Sequence, residues 1–450
     1  MLTPYPLQQR AIEKQAKIIR DRNFALCTSS LGSGKTLMAI ETARSLGLTP
    51  LVVAPKSTLT SWERTLDEQG VDYYDILSWE KMRRGDTKWY KKVNQKSRNG
   101  KWNLPKNTLL ILDEVHKAKA GSLSQQGRMV IHAAMQNIPI LAMSGTPFVN
   151  PLDMEFIAIA TKQIRDSFSF RRWCKQHGCT QNWFNAWEFN PRTPGGEKGL
   201  KDIRELLYGK SPTAVQITRQ DLKEFFTDST LSEVLVDFDA KVLKKMKELE
   251  KFVLKQDQQR KEDLERDEAK VLEALAKGKE ANVSSTLREI LRVRQEIELL
   301  KTPVMSEYIQ NLLDENKSVV VFVSFKETIN ALLEAFKEVP SVVIDGSVTG
   351  KDRQRAIDQF QADEAHLAFV NFQAGGAGIS LHDTRGERPR ASVLNTTFSI
   401  TDTLQALGRI DRAGAKSNTE QYVLVAAGTY EEEVFKSVKD KHYSMTQAVL

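Results

Sequence analysis

The sequence predicts an α/β protein: two parallel-sheet lobes with an inserted charged helical arm and an aromatic-rich subdomain. Three observations carry that prediction. Short apolar runs alternate with helix-like segments between residues 24 and 148, the alternation returns after residue 318, and the stretch between is of different composition. The expected organisation is a first lobe over 1–152, an aromatic-rich extension over 153–238, a charged arm over 239–302 and a second lobe over 303–450. A chain of 450 residues is too long for one compact core, which agrees with several domains.

The first series of runs is Phe24–Cys27, Leu51–Ala54, Leu109–Leu112 and Ile138–Ala142. Each ends in small, polar or acidic residues, as buried parallel strands do when functional loops sit at their carboxyl ends. The second series is Val319–Val323, Val342–Ile344, Leu367–Val370, Val393–Leu394 and Tyr422–Val425. Between them, 156–209 is rich in aromatics (Phe168, Phe170, Trp173, Trp183, Phe184, Trp187, Phe189) and is broken by Pro191, Pro194, Gly195 and Gly196. Residues 241–300 are densely charged and almost free of proline. Leu243, Met246, Leu249 and Val253 recur there at helical spacing, so two or three amphipathic helices are expected, forming a solvated antiparallel arm with its turn near 278–285.

An apolar content of 40%, a charged content of 27% and no apolar run of membrane-span length argue for a water-soluble chain. Residues 1–6 lack a basic-then-apolar signal, so a cytosolic location is expected. The three cysteines form no disulfide framework; Cys174, His177 and Cys179 lie close together, but their spacing suits reduced structural thiols better than zinc. Net charge is +7, and its distribution tells more than its sum. Between Lys81 and Lys106 stand Arg83, Arg84, Lys88, Lys91, Lys92, Lys96, Arg98 and Lys101 against the single acid Asp86, with Trp89, Tyr90 and Trp102 interleaved. Such a stretch is expected to contact nucleic acid, cations on phosphates and rings on bases; the alternative is a solvated loop whose aromatics anchor it.

The segment with the clearest chemistry is Ser29-Ser30-Leu31-Gly32-Ser33-Gly34-Lys35-Thr36. It follows an apolar run and precedes a helix-like segment, the order that makes a phosphate cradle of inward backbone N–H groups at a helix N-terminus. Ser30, Leu31, Gly32, Ser33, Gly34, Lys35 and Thr36 are therefore the expected nucleotide-binding loop, with Lys35 on the β- and γ-phosphates and the Thr36 hydroxyl on Mg²⁺. The strict pattern wants glycine where this chain has Ser29. Downstream, Leu109-Leu110-Ile111-Leu112-Asp113-Glu114-Val115-His116 sets two acids at the end of a buried run. One carboxylate, Asp113, suits Mg²⁺, and the other, Glu114, suits orienting or deprotonating the attacking water.

These residues resemble those of superfamily-two helicases and translocases, nearest the Swi/Snf-type group, with further motifs in the family's order. Tyr5-Pro6-Leu7-Gln8 resembles the adenine-reading segment, with Gln8 the reader. Leu51–Leu59 with Trp62 is similar to the first strand-tracking motif, Asp113–His116 to the DExH box, and Ser144-Gly145-Thr146-Pro147 to the motif that couples hydrolysis to DNA contact. In the second half, Val321–Phe325, Asp345-Gly346-Ser347, Gln373–Leu381 and Gln405–Gly414 match in turn. The resemblance implies two RecA-like lobes that use ATP and Mg²⁺, with neither lobe a complete site. His116, Gln405 and Gly378 would join the ATP machinery, and Arg409 and Arg412 would be arginine fingers. Lys56, Thr58, Ser144, Thr146, Ser324, Phe325, Gly346, Gln373, Gly376 and Gly378 would contact DNA.

Two departures stand out. Asn371 and Phe372 replace the usual Ser-Thr before the glycine-rich run, leaving Asn371 or Gln373 to make that backbone contact, and Gly408 stands where Swi/Snf-type proteins usually have Asp. The expected function is an ATP-dependent helicase for forked or branched DNA, similar to compact phage-type recombination and repair helicases. Its setting would be bacterial or virus-infected cytoplasm or the nucleoid, with replication or recombination proteins as partners. The alternative is a duplex translocase that remodels protein–DNA complexes without separating strands. An RNA helicase is disfavoured by the Swi/Snf-like motifs of the second lobe. Strand separation needs a wedge, expected in Lys81–Lys106 or in the Trp183–Gly199 region, although Trp173, Trp183 and Trp187 are expected to pack within a small subdomain.

Overall fold

The computed structural model describes the chain except for residues 1, 31, 85–86, 93–98, 184, 250, 252–284, 349, 373–378, 398, 437 and 440–450. The described chain divides into two compact units, residues up to 222 and residues 223–439.

The strands of the first unit are β1 (Phe24–Cys27), β2 (Thr49–Ala54), β3 (Asp75–Ser78), β4 (Tyr90–Lys92), β5 (Gly100–Trp102), β6 (Thr108–Asp113), β7 (Ile140–Met143), β8 (Cys179–Gln181), β9 (Trp187–Phe189) and β10 (Ala214–Val215). Six form one all-parallel sheet in the order β10-β1-β7-β6-β2-β3. Its central strands are buried along their whole length save for Asp113 at the end of β6, which is why they read as unbroken apolar runs rather than as alternation. The other four pair as two antiparallel hairpins, β4–β5 and β8–β9.

The second unit contains β11 (Ser229–Val236), β12 (Ser318–Val323), β13 (Ser341–Ile344), β14 (Leu367–Asn371), β15 (Arg390–Asn395) and β16 (Thr419–Ala426). They form a second all-parallel sheet, β11-β16-β15-β12-β14-β13. Its two faces carry separate apolar clusters, one around Phe322, Phe360 and Val370, the other around Val321, Phe369 and Val393. Residues 223–238, expected in the extension of the first lobe, lie in this unit. β11 is an edge strand whose exposed and covered residues alternate, so it lacks the apolar run that announces a central strand.

The charged arm also differs from expectation at its end. The helix Ser285–Leu300 packs Val293 and Ile297 against Met246 and Ala426, and it is built into the second unit instead of standing in solvent. Two charged side chains fix it there. Glu298 is buried, and its carboxylate accepts the backbone N–H groups of Ser324 (3.1 Å) and Phe325 (3.1 Å) and the Asn395 amide (2.6 Å). Burial raises its pKa despite those donors. Lys301, 1% exposed, sits 2.7 Å from the Glu431 carboxylate. Among the described residues no helix is long and apolar enough to cross a membrane.

Candidate functional site

The strand register of the first unit brings three loops to one place. Cys27 of β1 and Asp113 of β6 both pair with Met143 of β7, so the three strands end side by side at the same level. The segments that leave them are the expected phosphate loop, Asp113–His116 and Ser144–Thr146. Ligands of parallel sheets bind at such carboxyl ends.

The loop after β1 turns into the helix Lys35–Leu46 through Gly34, at φ +80°, with Gly32 at φ +78°. A Cβ on Gly34 would lie 2.5 Å from Gln8 Nε2, so only glycine fits there. Lys35 Nζ donates to the carbonyls of Ser29 (2.9 Å) and Ser30 (3.1 Å), which holds its charge over the mouth of the loop. Glycines at positive φ, a helix N-terminus and a lysine form a donor set that suits a triphosphate. Gln8 is buried; its amide donates to Ser33 O (2.9 Å) and its carbonyl accepts Tyr5 N–H (2.9 Å). The expected adenine reader thus also braces the phosphate loop.

Ser29 has a structural reason. Its buried hydroxyl accepts the Ile217 N–H at 2.9 Å, and Ser30 N–H donates to Ile217 O at 3.0 Å, stitching the loop to the chain that follows β10. Ser29→Ala leaves a buried N–H without its acceptor, at a cost of about 1–3 kcal/mol. The expected result is a several-fold rise in KM for ATP with kcat nearly unchanged, read by steady-state ATPase kinetics.

Asp113 is gripped from both sides. Its carboxylate accepts the Trp62 indole N–H (2.9 Å) and the Glu114 N–H (3.0 Å), and its carbonyl accepts the Trp79 indole N–H (2.8 Å). Burial, and next to it the Glu114 carboxylate, push its pKa up to about 7 although Trp62 and Lys35 oppose the shift. A bound divalent cation would relieve both causes, so Asp113 suits the metal-ligand role expected of it, and Thr36 lies in the first turn of the helix Lys35–Leu46. Glu114 is buried at φ +51°, a left-handed backbone that a non-glycine residue adopts at a cost. Its carboxylate lies 3.2 Å from His116 Nδ1 and accepts the Ser144 hydroxyl at 3.3 Å; that hydroxyl in turn accepts Thr146 N–H at 3.1 Å.

Several expected DNA contacts are placed differently. Ser144 and Thr146 are buried, and the Ser144 hydroxyl links the Glu114 carboxylate to the Thr146 backbone. Thr58 is buried and donates to Pro55 O, whereas Lys56 is exposed. In the second unit both Ser324 and Phe325 N–H groups are taken by Glu298, and Phe325 is buried. Asn371 is buried too, its amide donating to Ser324 O at 2.7 Å. Asn371, at the position of the usual Ser-Thr pair, thereby ties the end of β14 to the segment that follows β12. Gly346 is half-buried. Leu31, Gln373, Gly376 and Gly378 lie outside the described residues.

Also in the second unit, Gln405 and Arg409 are buried. Arg409 Nη1 donates to Ile379 O at 3.2 Å, and Arg412, half-buried, donates to the same carbonyl at 2.9 Å. Both guanidiniums thereby brace the end of the glycine-rich segment.

The basic stretch after β3 has its aromatics turned inward. Tyr90 and Trp102 are buried and pack edge to face at 5.1 Å; Tyr90 OH meets His132 Nδ1 at 2.9 Å, and the Trp102 indole donates to Met129 O at 2.8 Å. Trp89 donates to Asp75 at 2.9 Å. These rings anchor the β4–β5 hairpin; Tyr90 and Trp102 are buried, Trp89 is half-buried with Lys88 Nζ 4.3 Å over its ring, and Lys88, Lys91 and Lys101 are exposed. In the aromatic-rich part, Cys174 and Cys179 are buried side by side, and the Cys174 hydrogen bond together with burial raises the Cys179 thiol. His177 stacks on Trp173 at 4.0 Å.

Sequence signals for the bracing residues were partial. Trp62 stands within a recognisable motif, but nothing local in the sequence ties Trp79 to Asp113 or Ile217 to Ser29, because both links join segments distant along the chain.

Two family profiles match in chain order: "Type III restriction enzyme, res subunit" over residues 1–149 and "Helicase conserved C-terminal domain" over residues 304–414. A protein of Acanthamoeba polyphaga mimivirus, named as an ATP-dependent RNA helicase, is 29% identical over 97% of this chain and 82% of its own. Human chromodomain-helicase-DNA-binding protein 1 is 22% identical over 93% of this chain, which spans only 25% of that protein. A solved structure, the Sulfolobus solfataricus SWI2/SNF2 ATPase core in complex with dsDNA, aligns over 100% of this chain and 97% of its own at 16% identity and a TM-score of 0.37.

Proposed function

We propose, on the premise that the chain belongs to the superfamily-two helicases of the Swi/Snf-like group, that it hydrolyses ATP to move along DNA and to unwind or remodel forked or branched DNA. The observation that carries the reading is the convergence of Lys35, Asp113 and Glu114 at the carboxyl ends of β1 and β6, the two strands that flank β7, with Glu114 bonded to Ser144 of the coupling motif. Lys35 and the loop N–H groups bind the phosphates, and Thr36 and Asp113 hold Mg²⁺. Bound there, Mg²⁺ would supply charge neutralisation to the triphosphate. Glu114 orients the attacking water and takes its proton; His116 and Ser144 keep its carboxylate aimed. Arg412 is the proposed arginine finger, and Arg409, buried beside it, steadies the segment from which it acts.

On the DNA side, Lys56 and the exposed lysines of the β4–β5 hairpin are proposed to follow the phosphate backbone, with little sequence readout. A K91A/K101A double variant should weaken binding to every DNA sequence alike and reduce the slope of log K against log salt by about 1–2. Fluorescence anisotropy at several salt concentrations reads this.

A second reading has an observation of its own: the relative that matches most of both chains carries the name of an RNA helicase. ATPase and strand-displacement assays on a DNA fork, a blunt DNA duplex and an RNA duplex separate the two. ATPase stimulation and displacement confined to the RNA duplex would overturn the DNA reading. Fork-stimulated ATPase without displacement would favour a remodelling translocase.

A further inference from the structure

We infer that Trp183 is a stacking platform for the base at a single-strand–duplex junction, which makes the β8–β9 hairpin the strand-separating element. The inference rests on the DNA-motor reading and assigns one task within it. Sequence composition groups Trp173, Trp183 and Trp187 together, but the structure separates them. Trp173 is buried between Phe170 (5.8 Å) and His177 (4.0 Å), and Trp187 lies under the Arg171 guanidinium at 5.5 Å. Trp183 is 100% exposed.

The turn that presents Trp183 is well tied. β8 and β9 pair Cys179 with Phe189, Thr180 with Glu188 and Gln181 with Trp187. Beyond them, Asn182 N–H donates to Ala186 O (2.9 Å), the Asn182 side chain accepts Ala186 N–H (3.1 Å), and Asn185 N–H donates to Asn182 O (3.0 Å). Asn185 closes the turn at φ +60°, a conformation asparagine tolerates better than most residues. Cys179, buried beside Cys174, roots the hairpin in the subdomain. The indole is thus held out on a short, hydrogen-bonded support. An indole has only two side-chain torsions to fix, so it gives up little conformational entropy when a flat partner lands on it.

The charge of the neighbouring sequence points to that partner. From residue 162 to residue 189 the exposed cations are Lys162, Arg165, Arg171, Arg172 and Lys175, against Asp166 and Glu188. Phe168, in the same stretch, is 96% exposed. Cations for phosphates interleaved with bare aromatic faces are what unpaired nucleic acid requires. A paired base is already stacked on both faces within the duplex, so a protruding indole gains most at a junction, where one face is open. The β4–β5 hairpin has no fully exposed ring among its described residues: Tyr90 and Trp102 are buried, and Trp89 is half-buried and bonded to Asp75.

The test compares wild type, W183A and W183F on a DNA fork carrying 2-aminopurine at the first unpaired position, and on a linear duplex. Wild type should quench the probe. W183A should abolish the quench and slow fork displacement by about tenfold or more, the size of one lost base–aromatic stack. W183F should retain most of both, and linear-duplex-stimulated ATPase should be equal in all three. Equal quenching and equal displacement by W183A would overturn the inference while leaving the motor reading intact. Absence of DNA-stimulated ATPase in the wild type would instead remove the motor reading itself, and this inference with it.

Discussion

Replacement of Asp113 by Asn is expected to cut ATP hydrolysis by about a thousandfold and, in the nucleotide-free protein, to flatten the dependence of stability on pH. The first effect follows from losing the proposed anionic ligand for Mg²⁺ beside the triphosphate. The second follows from the raised pKa. The Asp113 carboxyl titrates at about 7 in the folded protein, pushed up by burial and by Glu114, and near 3.9 when unfolded. Between those values the folded state holds a proton that the unfolded state has released, so stability falls as pH rises through the window, and the deficit is complete above pH 7. Asn carries no titrating proton and removes that slope. Its size is on the order of 2 kcal/mol after allowance for the coupling to Glu114. Thermal melts of the nucleotide-free proteins at pH 5 and pH 8 measure it. Wild type should lose more stability than D113N over that interval, whereas parallel losses would contradict the account of Asp113.

The largest stability effect in the second unit is expected at Lys301. Its ammonium is buried, 2.7 and 2.9 Å from the two Glu431 oxygens and 3.2 Å from Leu424 O. Glu431 also accepts Ala426 N–H at 2.9 Å, so it cannot swing out to water without breaking a second bond. Lys301→Met therefore strands a carboxylate in a low-dielectric site, and removing one partner of a buried pair typically costs about 3–5 kcal/mol. The paired change K301M/E431Q removes both charges and should recover much of the loss. Urea denaturation of the three proteins tests this. A K301M midpoint equal to wild type would mean that the pair contributes nothing to holding the helix Ser285–Leu300 and its neighbours on the sheet.

These two residues illustrate what the sequence made legible. Asp113 stands out because a buried apolar run ends on it, and the run Leu109–Leu112 reappears inside β6, Thr108–Asp113. The other central strands were legible for the same reason, since burial on both faces writes itself as consecutive apolar residues. β10, only two residues long, and β11, half-exposed at an edge, carry no such mark. Lys301 gave no sign of burial, because a lysine in a charged segment reads as solvated; only a partner 130 positions away reveals it. The same limit applies at the site. Lys35, Thr36 and Glu114 stand out by local pattern, whereas the orientation of Ser144 toward Glu114, the engagement of Asn371 by Ser324 and the contrast between buried Trp173 and bare Trp183 depend on tertiary contacts. A tryptophan has the same letter whether it fills a core or faces water.

The central claim is that ATP hydrolysis at Lys35, Asp113 and Glu114 drives movement along DNA. Its most direct test is displacement of a third strand from an otherwise blunt DNA duplex, which reports translocation whether or not the duplex itself is opened. Wild type should release the third strand only with hydrolysable ATP and Mg²⁺, and K35A should release none. Robust DNA-stimulated hydrolysis with no release of the third strand would contradict it.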